Sequence, residues 1–350
     1  MVEDRKKWLN EYFDLLLNSR PSPQNKHEIK SKKMRRLRDL KYLYRYIDVE
    51  KTRKYVINPL QDGKKLNIRP SHPSKFNDPF DTRLPLEYFK HPKMRLQYAR
   101  ELQEIICKYS NWKSEYCDEC WAEFEISLEI KDFSEWKKKI CEIFLKYWPL
   151  DNPDQELKNL VVRKITKYEE GAQKGLDNEL GISCFSETPK SILMWSHYAQ
   201  KHTGICLAYD TSIFLKDTRR YDIIDWLNPV RYMNDISDIL SELKRKADGE
   251  YFSKEEDEIL QYKSLLTKYD AWSYEMEWRL AFWFPLSLWG PNPEGDDDRY
   301  DLPLPVKCIY LGVNIADDLK TEIYNVSLQK GIEVKEMKIA DNKFELLVRD

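Results

Sequence analysis

Glycine is scarce in this chain, ten residues in 350, and the motifs that need it are missing. No dinucleotide fingerprint, P-loop or GxSxG elbow occurs, nor does an HExxH zinc helix, which sets aside Rossmann, NTPase, α/β-hydrolase and classical metallopeptidase readings. A long apolar run is missing too. The opening MVEDRKKWLNEYFDLLL is broken by charge, so neither a signal-peptide core nor a membrane span is expected. Charge of one sign is not in excess: 58 Lys and Arg face 60 Asp and Glu, a formal net charge of −2. That balance excludes a globally basic nucleic-acid binder while leaving room for local patches. The seven cysteines are odd in number and scattered, which suits reduced thiols in the cytoplasm better than a disulfide framework. Cys117 and Cys120 form CDEC without a second pair or a nearby His, so no metal site is expected there.

Hydrophobic residues at 41% and aromatics at 13% suit a folded protein of some size. Residues 3–18 place Trp8, Tyr12, Leu15 and Leu16 on one helical face, and Pro21 and Pro23 end that helix. From Lys26 to Arg45 the chain is basic around KSKKMRRLR, which reads as a solvated helix face or as a dock for an anionic partner such as nucleic acid. Strand signals follow at 41–47 and at LNIRPS (66–71), then a long stretch of helical spacing over about 86–180. Further strands are expected at 181–187, 204–210, around Val230–Met233 and at EWRLAFWFPL (277–286), with helix over 235–269. An acidic loop, PNPEGDDDRYD, precedes strand KCIYLGVNI, a helix from Ala316 and a closing hairpin around Asp341-Asn342. The pattern predicts an α+β fold with a central, mostly antiparallel sheet and large helical insertions. Its expected organisation is an amino-terminal helical extension, 1–40, and one α+β domain, 41–350, with a helical insertion at about 86–180.

Three aromatic-rich polar segments carry the candidate chemistry. In FNDPFD (76–81), Pro79 drives Asp78 from helical geometry, Asn77 and Asp78 suit an Asx turn, and Phe76 and Phe80 are expected to anchor that turn in the core, fixing Asp78 and Asp81. In SCFSE, Ser183 and Ser186 lie an odd number of residues apart, so only one faces a given cleft. The helix SILMWSHYA offers His197 as an acid, base or hydrogen-bond donor, with Trp195 and Ala199 on another face. WSYEMEWRL (272–280), read as extended, puts Glu275, Glu277 and Arg279 in one row and Trp272, Tyr274, Met276 and Trp278 in the other. Such a row is either a structural ion pair or a polar site for ligand hydroxyls and developing positive charge.

These segments, together with the early LYRY strand, GICL and the late IYLG, resemble in order and spacing a bacterial domain-of-unknown-function family, number 2971, over about Tyr42 to Ile315. The resemblance implies no established activity; similar proteins occur in phage-defence and abortive-infection settings. A fainter resemblance, to ADP-ribosyltransferase folds, supplies a mechanism. Those folds carry Arg or His on a first strand, Ser or Tyr on a later one and Glu within E-x-E. Arg45, Ser183 or Ser186, and Glu275-x-Glu277 match that order. The resemblance implies NAD as substrate, Glu277 as the carboxylate that stabilises an oxocarbenium-like cation, and Glu275 as the group orienting ribose or acceptor. It further implies Arg45 on the pyrophosphate, with Tyr44 or Trp195 stacking on a ring, and Tyr198 and Arg279 beside the ligand. Two other readings stand beside it. One is a non-catalytic module that senses a ligand or nucleic acid. The other is a nuclease holding Mg²⁺ on Asp78, Asp81, Glu275 and Glu277.

Overall fold

Alternation builds the sheet. In the computed structural model, β1 (Tyr42–Ile47) buries Leu43 on one face and Tyr44 and Tyr46 on the other. The structure describes residues 2–18, 23–66, 68, 70–78, 80–82, 95–96, 98–100, 102–104, 114–148, 155–166, 180–215, 223–247, 254–283 and 304–349. The acidic loop PNPEGDDDRYD and residues 284–286 of the expected buried strand lie outside them. The chain divides into two units, one of Met1–Thr82, Asn178–Asn234 and Leu265–Asp350, the other of Arg83–Asp177 and Asp235–Ser264.

The first unit holds β1 with β2 (Leu180–Ser186), β3 (Ile205–Asp210), β4 (Leu227–Pro229), β5 (Arg231–Met233), β6 (Thr267–Tyr269), β7 (Glu277–Trp283), β8 (Val306–Leu311), β9 (Glu333–Ile339) and β10 (Leu346–Val348). Eight of these form one sheet in the order β10-β9-β8-β3-β1-β2-β7-β4. Every neighbouring pair is antiparallel except β8 and β9, which the helix Asp317–Lys330 connects. The α+β class with a mostly antiparallel sheet is therefore what the chain adopts. One face of the sheet packs Phe185, Leu207, Trp278, Leu280 and Ile309 against Leu37 and against Leu319 and Ile323 of the connecting helix. The other gathers Tyr44, Tyr46, Cys206 and Tyr310 with Trp195.

Two helices, α1 (Val2–Phe13) and α2 (Pro23–Leu40), fasten onto the first face through the basic stretch. Lys33 is buried and its ammonium donates to Ile224 O at 2.6 Å, Leu227 O at 3.1 Å and Asn228 Oδ1 at 3.1 Å. Lys32 pairs with Glu11 at 2.5 Å, Lys30 with Asp225 at 3.8 Å and Arg36 with Glu187 at 2.6 Å. In the stretch expected to be a solvated helix face or a dock for an anionic partner, Lys33 is turned inside the fold and Lys30, Lys32 and Arg36 are paired, while Arg35 and Arg38 stay exposed.

Three other local expectations also change. Among the described residues of LNIRPS no strand forms: Ile68 and Ser71 are bridge residues, the latter paired with Ile182, and Pro70 lacks the donor that a ladder needs. Thr267–Tyr269, read as helix, is β6 and pairs in parallel with β5. Phe80 is 83% exposed and anchors nothing, although Asp78 makes the expected Asx turn by accepting Phe80 N–H at 2.9 Å.

The second unit is helical where described. Ser114–Ser127, Phe133–Tyr147 and Gln155–Thr166 pack Phe124, Trp136, Ile140, Phe144 and Ile165 together. Asp132 caps the second helix by accepting Glu135 N–H at 2.7 Å.

Burial lowers the Lys33 ammonium to about 7 from 10.5, so the unfolded chain holds a proton that the folded one releases between those values. Wild-type stability is therefore expected to gain with rising pH across that window, and Lys33→Met to lack the gain. At pH 6.5 the same variant is expected to lose about 1–3 kcal/mol through its orphaned acceptors. Urea denaturation of both proteins at pH 6.5 and 9.5 measures both effects.

Candidate functional site

The three motif segments meet around two buried cations. Lys268, at the centre of β6, reaches Glu275 Oε2 at 2.7 Å, Glu277 Oε2 at 3.4 Å and Asp81 Oδ2 at 3.4 Å. Arg279, wholly buried on β7, donates through Nε to Glu277 Oε1 at 2.8 Å, through Nη2 to Asp81 Oδ2 at 2.7 Å and through Nη1 to Leu265 O at 2.6 Å. Aromatic faces complete both shells, with Lys268 Nζ 4.9 Å from the Trp272 ring centre and the Arg279 guanidinium 5.7 Å from that of Phe76.

Local backbone brings the two glutamates to one lysine, by a route that differs from the extended row. Asp270–Glu275 is a 3-10 helix, and Met276 takes a left-handed conformation at φ 46°. Extended chain begins only at Glu277. Trp272 and Tyr274 are therefore half-buried around a helical turn, and the expected second row of aromatics does not form. Glu275 and Glu277 still converge because the turn at Met276 redirects the first toward the second.

Three carboxylates (Asp81, Glu275, Glu277) against two cations (Lys268, Arg279) leave one excess negative charge, and it settles unevenly. Burial, then the neighbouring Glu277 charge, raises Glu275 from 4.5 to about 7. Burial also opposes ionisation of Glu277, but the charges of Arg279 and Lys268 outweigh it and hold that group down at about 2. Lys268 is pushed upward because the three carboxylates outweigh its desolvation.

One hydroxyl leads from this cluster to open space. Tyr198 donates to Glu275 Oε1 at 2.6 Å, and its oxygen accepts from Asn77 Nδ2 at 3.2 Å. Tyr198 also lines a cleft of about 590 Å³ together with His197, Gln200 and residues 48–51. His197 is exposed, its ring centre 6.5 Å from that of Tyr198 and 6.2 Å from that of Tyr274. Gln200, Lys201 and His202 follow at φ 48°, 56° and 68°, three consecutive left-handed residues. Hydrogen bonds hold this unusual turn, among them Lys201 N to Ser196 O at 3.1 Å, His202 N to Trp195 O at 3.1 Å and Asn314 N to His202 O at 3.0 Å.

The register sorts the remaining expected residues. Tyr44 pairs with Ser186 and Ser186 with Glu277, so these three share one row across β1, β2 and β7. Arg45 pairs with Leu207 and faces the other side of the sheet, as does Ser183, whose register partner is Leu280 and whose buried hydroxyl has no hydrogen-bond partner. Arg45 and Glu277 therefore share no pocket. Trp195 is fully buried and donates its indole N–H to Pro189 O at 2.7 Å, which removes it as a ring for ligand stacking. Arg279 is likewise enclosed. As for the nuclease reading, Asp81, Glu275 and Glu277 do converge, but Lys268 and Arg279 fill the space between them, and Asp78 is turned into its own Asx bond.

Sequence reasoning missed Lys268, Tyr232 and the side chain of Glu187. A lone lysine inside the apolar run LLTKY was the available signal for the first.

Fold and site together define an α+β protein with a polar-aromatic cleft above a buried carboxylate–cation cluster. Residues 194–280 match a family described as "Protein of unknown function (DUF2971)", so the resemblance carried by the motifs holds over that segment. No curated protein and no solved structure matches the chain. Among the described residues, no helix is long and apolar enough to cross a membrane.

With Glu275 at about 7 in the folded state and 4.5 as its ordinary value, the folded protein holds a proton that the unfolded chain has lost between these limits. Stability is expected to fall as pH rises through that window, by on the order of 2 kcal/mol, and Glu275→Gln to remove the fall. Urea titrations at pH 5 and pH 8 check it; parallel losses in wild type and variant would refute it.

Proposed function

We propose that this protein is a ligand-recognition module that reads a small polar ligand in the cleft at His197, Tyr198 and Gln200. One observation carries the reading: each charged group of the cluster is engaged by another, and among the described residues Tyr198 is the one that both hydrogen-bonds the cluster and lines the cleft. A catalytic carboxylate has to meet the reacting atoms. Glu277 is 3% exposed and bridged by the Arg279 guanidinium, which suits a structural counter-ion. The cleft supplies hydrogen-bonding groups and aromatic rings, as recognition sites do. A bound ligand would exchange hydrogen bonds with Tyr198 and so bear on Glu275.

A thermal-shift screen of polar metabolites is expected to find a ligand that stabilises wild type and no longer stabilises Tyr198→Phe. Incubation with NAD is expected to release no nicotinamide, as followed by chromatography. Glu277→Gln is expected to cost about 3 kcal/mol or more of stability, because Arg279 is left buried with a weakened partner. NAD turnover that Glu277→Gln abolishes while the far-UV spectrum stays unchanged would overturn the reading.

A second reading, the NAD-consuming transferase or glycohydrolase acting in phage defence, is favoured by the row Tyr44–Ser186–Glu277 across three neighbouring strands. In it Tyr44 takes the place assigned to Arg45. The nicotinamide assay separates the two readings.

A further inference from the structure

Glu187 ends the CFSE motif with a side chain only 4% exposed, and four groups from three parts of the chain converge on it. Arg5 of α1 places Nε 3.1 Å from Oε1, and Arg36 of α2 donates from Nη2 to Oε2 at 2.6 Å. Trp278 of β7 donates its indole N–H to Oε1 at 2.8 Å, and the Glu187 backbone N–H donates to Met276 O at 3.3 Å. Arg5 grips a second residue as well: its guanidinium lies 5.8 Å from the ring centre of Tyr232, whose hydroxyl accepts the Glu277 N–H at 2.8 Å. The carbonyl and the N–H of the single peptide group that follows the left-handed residue, Met276 O and Glu277 N–H, are thus each held by a residue that Arg5 touches. Trp8 of α1 extends the contact by stacking on Trp278 at 5.7 Å, and Arg36 lies over Trp8 at 5.5 Å.

We propose that α1 and α2 clamp the candidate site, with Arg5 and Arg36 acting through Glu187 and Tyr232 as positioning residues for the Glu275–Met276–Glu277 turn. Neither helix lies in the segment that matches the family, 194–280. A left-handed non-glycine residue persists only where its surroundings over-determine it, by about 1–2 kcal/mol at a single residue. Here the fastening is ionic, buried and supplied from outside the motif. Loss of the Arg5 contacts frees both backbone anchors at once, letting Met276 relax and Glu275 swing away from Tyr198. The function of this clamp rests on the recognition reading of the cleft; its existence does not.

Hydrogen–deuterium exchange read by mass spectrometry tests the clamp without any ligand. In Arg5→Gln, exchange in a peptide covering 272–280 is expected to rise at least tenfold, while a peptide covering β8, 306–311, stays within twofold of wild type. Arg5→Lys, which keeps the charge, is expected to restore most of the protection, and Arg36→Gln to raise exchange in the same peptide through the other oxygen of Glu187. Unchanged exchange in 272–280, or an equal rise in both peptides, would overturn the proposal, since a merely structural loss of stability moves both. Should the clamp fail while Tyr198→Phe still loses its ligand, recognition stands alone. Should NAD be turned over while the exchange pattern holds, the clamp stands and recognition falls.

Discussion

Two buried cations with too many carboxylates organise this protein. Lys268 and Arg279 could not be carried into the interior without Asp81, Glu275 and Glu277, because an isolated buried charge costs several kcal/mol even after relaxation. Those partners come from the FNDPFD turn and from the continuous run of 3-10 helix and β7, so forming the cluster fixes two stretches distant in sequence against each other. The aromatics of the same motifs, Phe76 and Trp272, lie against the cations. Much of what reads as catalytic sequence is therefore the requirement of a closed electrostatic unit.

The surplus negative charge gives that unit an outlet. Glu277 is fixed as an anion by its bidentate contact, which leaves Glu275 as the group whose protonation balances the count. Its link to the cleft is a single hydroxyl, that of Tyr198. The protonation of Glu275 and the Tyr198 hydroxyl are thus adjacent in one chain of hydrogen bonds, the physical basis of the proposed recognition reading. The strained turn at Gln200–His202 contributes Gln200 to the cleft wall, and its cost is met by backbone hydrogen bonds within the turn and to Asn314.

Much of the fold was legible because its strands announce themselves by alternation. The expected extended segments at 41–47, 181–187 and 204–210 became β1, β2 and β3, and the hairpin at the end became β9 and β10. Legibility failed where local pattern and tertiary demand disagreed. WSYEMEWRL alternates convincingly, yet the cluster needs Glu275 delivered from a helical turn, and Met276 accepts left-handed geometry to do so. KSKKMRRLR has the composition of a docking face, and nothing in it reveals that Lys33 will find three acceptors in the interior.

Sequence by itself determined the class of fold, the absence of glycine-dependent nucleotide motifs and the three segments that supply the carboxylates and Arg279 of the buried cluster and Tyr198 beside it, because these depend on residue type and short-range spacing. Only tertiary structure decided which face of the sheet each residue occupies. One step along β1 exchanges Tyr44 for Arg45 and moves the guanidinium to the far side from Glu277, a difference that the order of motifs along the chain does not encode. It also decided that a lysine in an apolar run joins the buried cluster and that an arginine of the first helix pairs with Glu187, since long-range ion pairs are set by packing and leave no local periodicity to read.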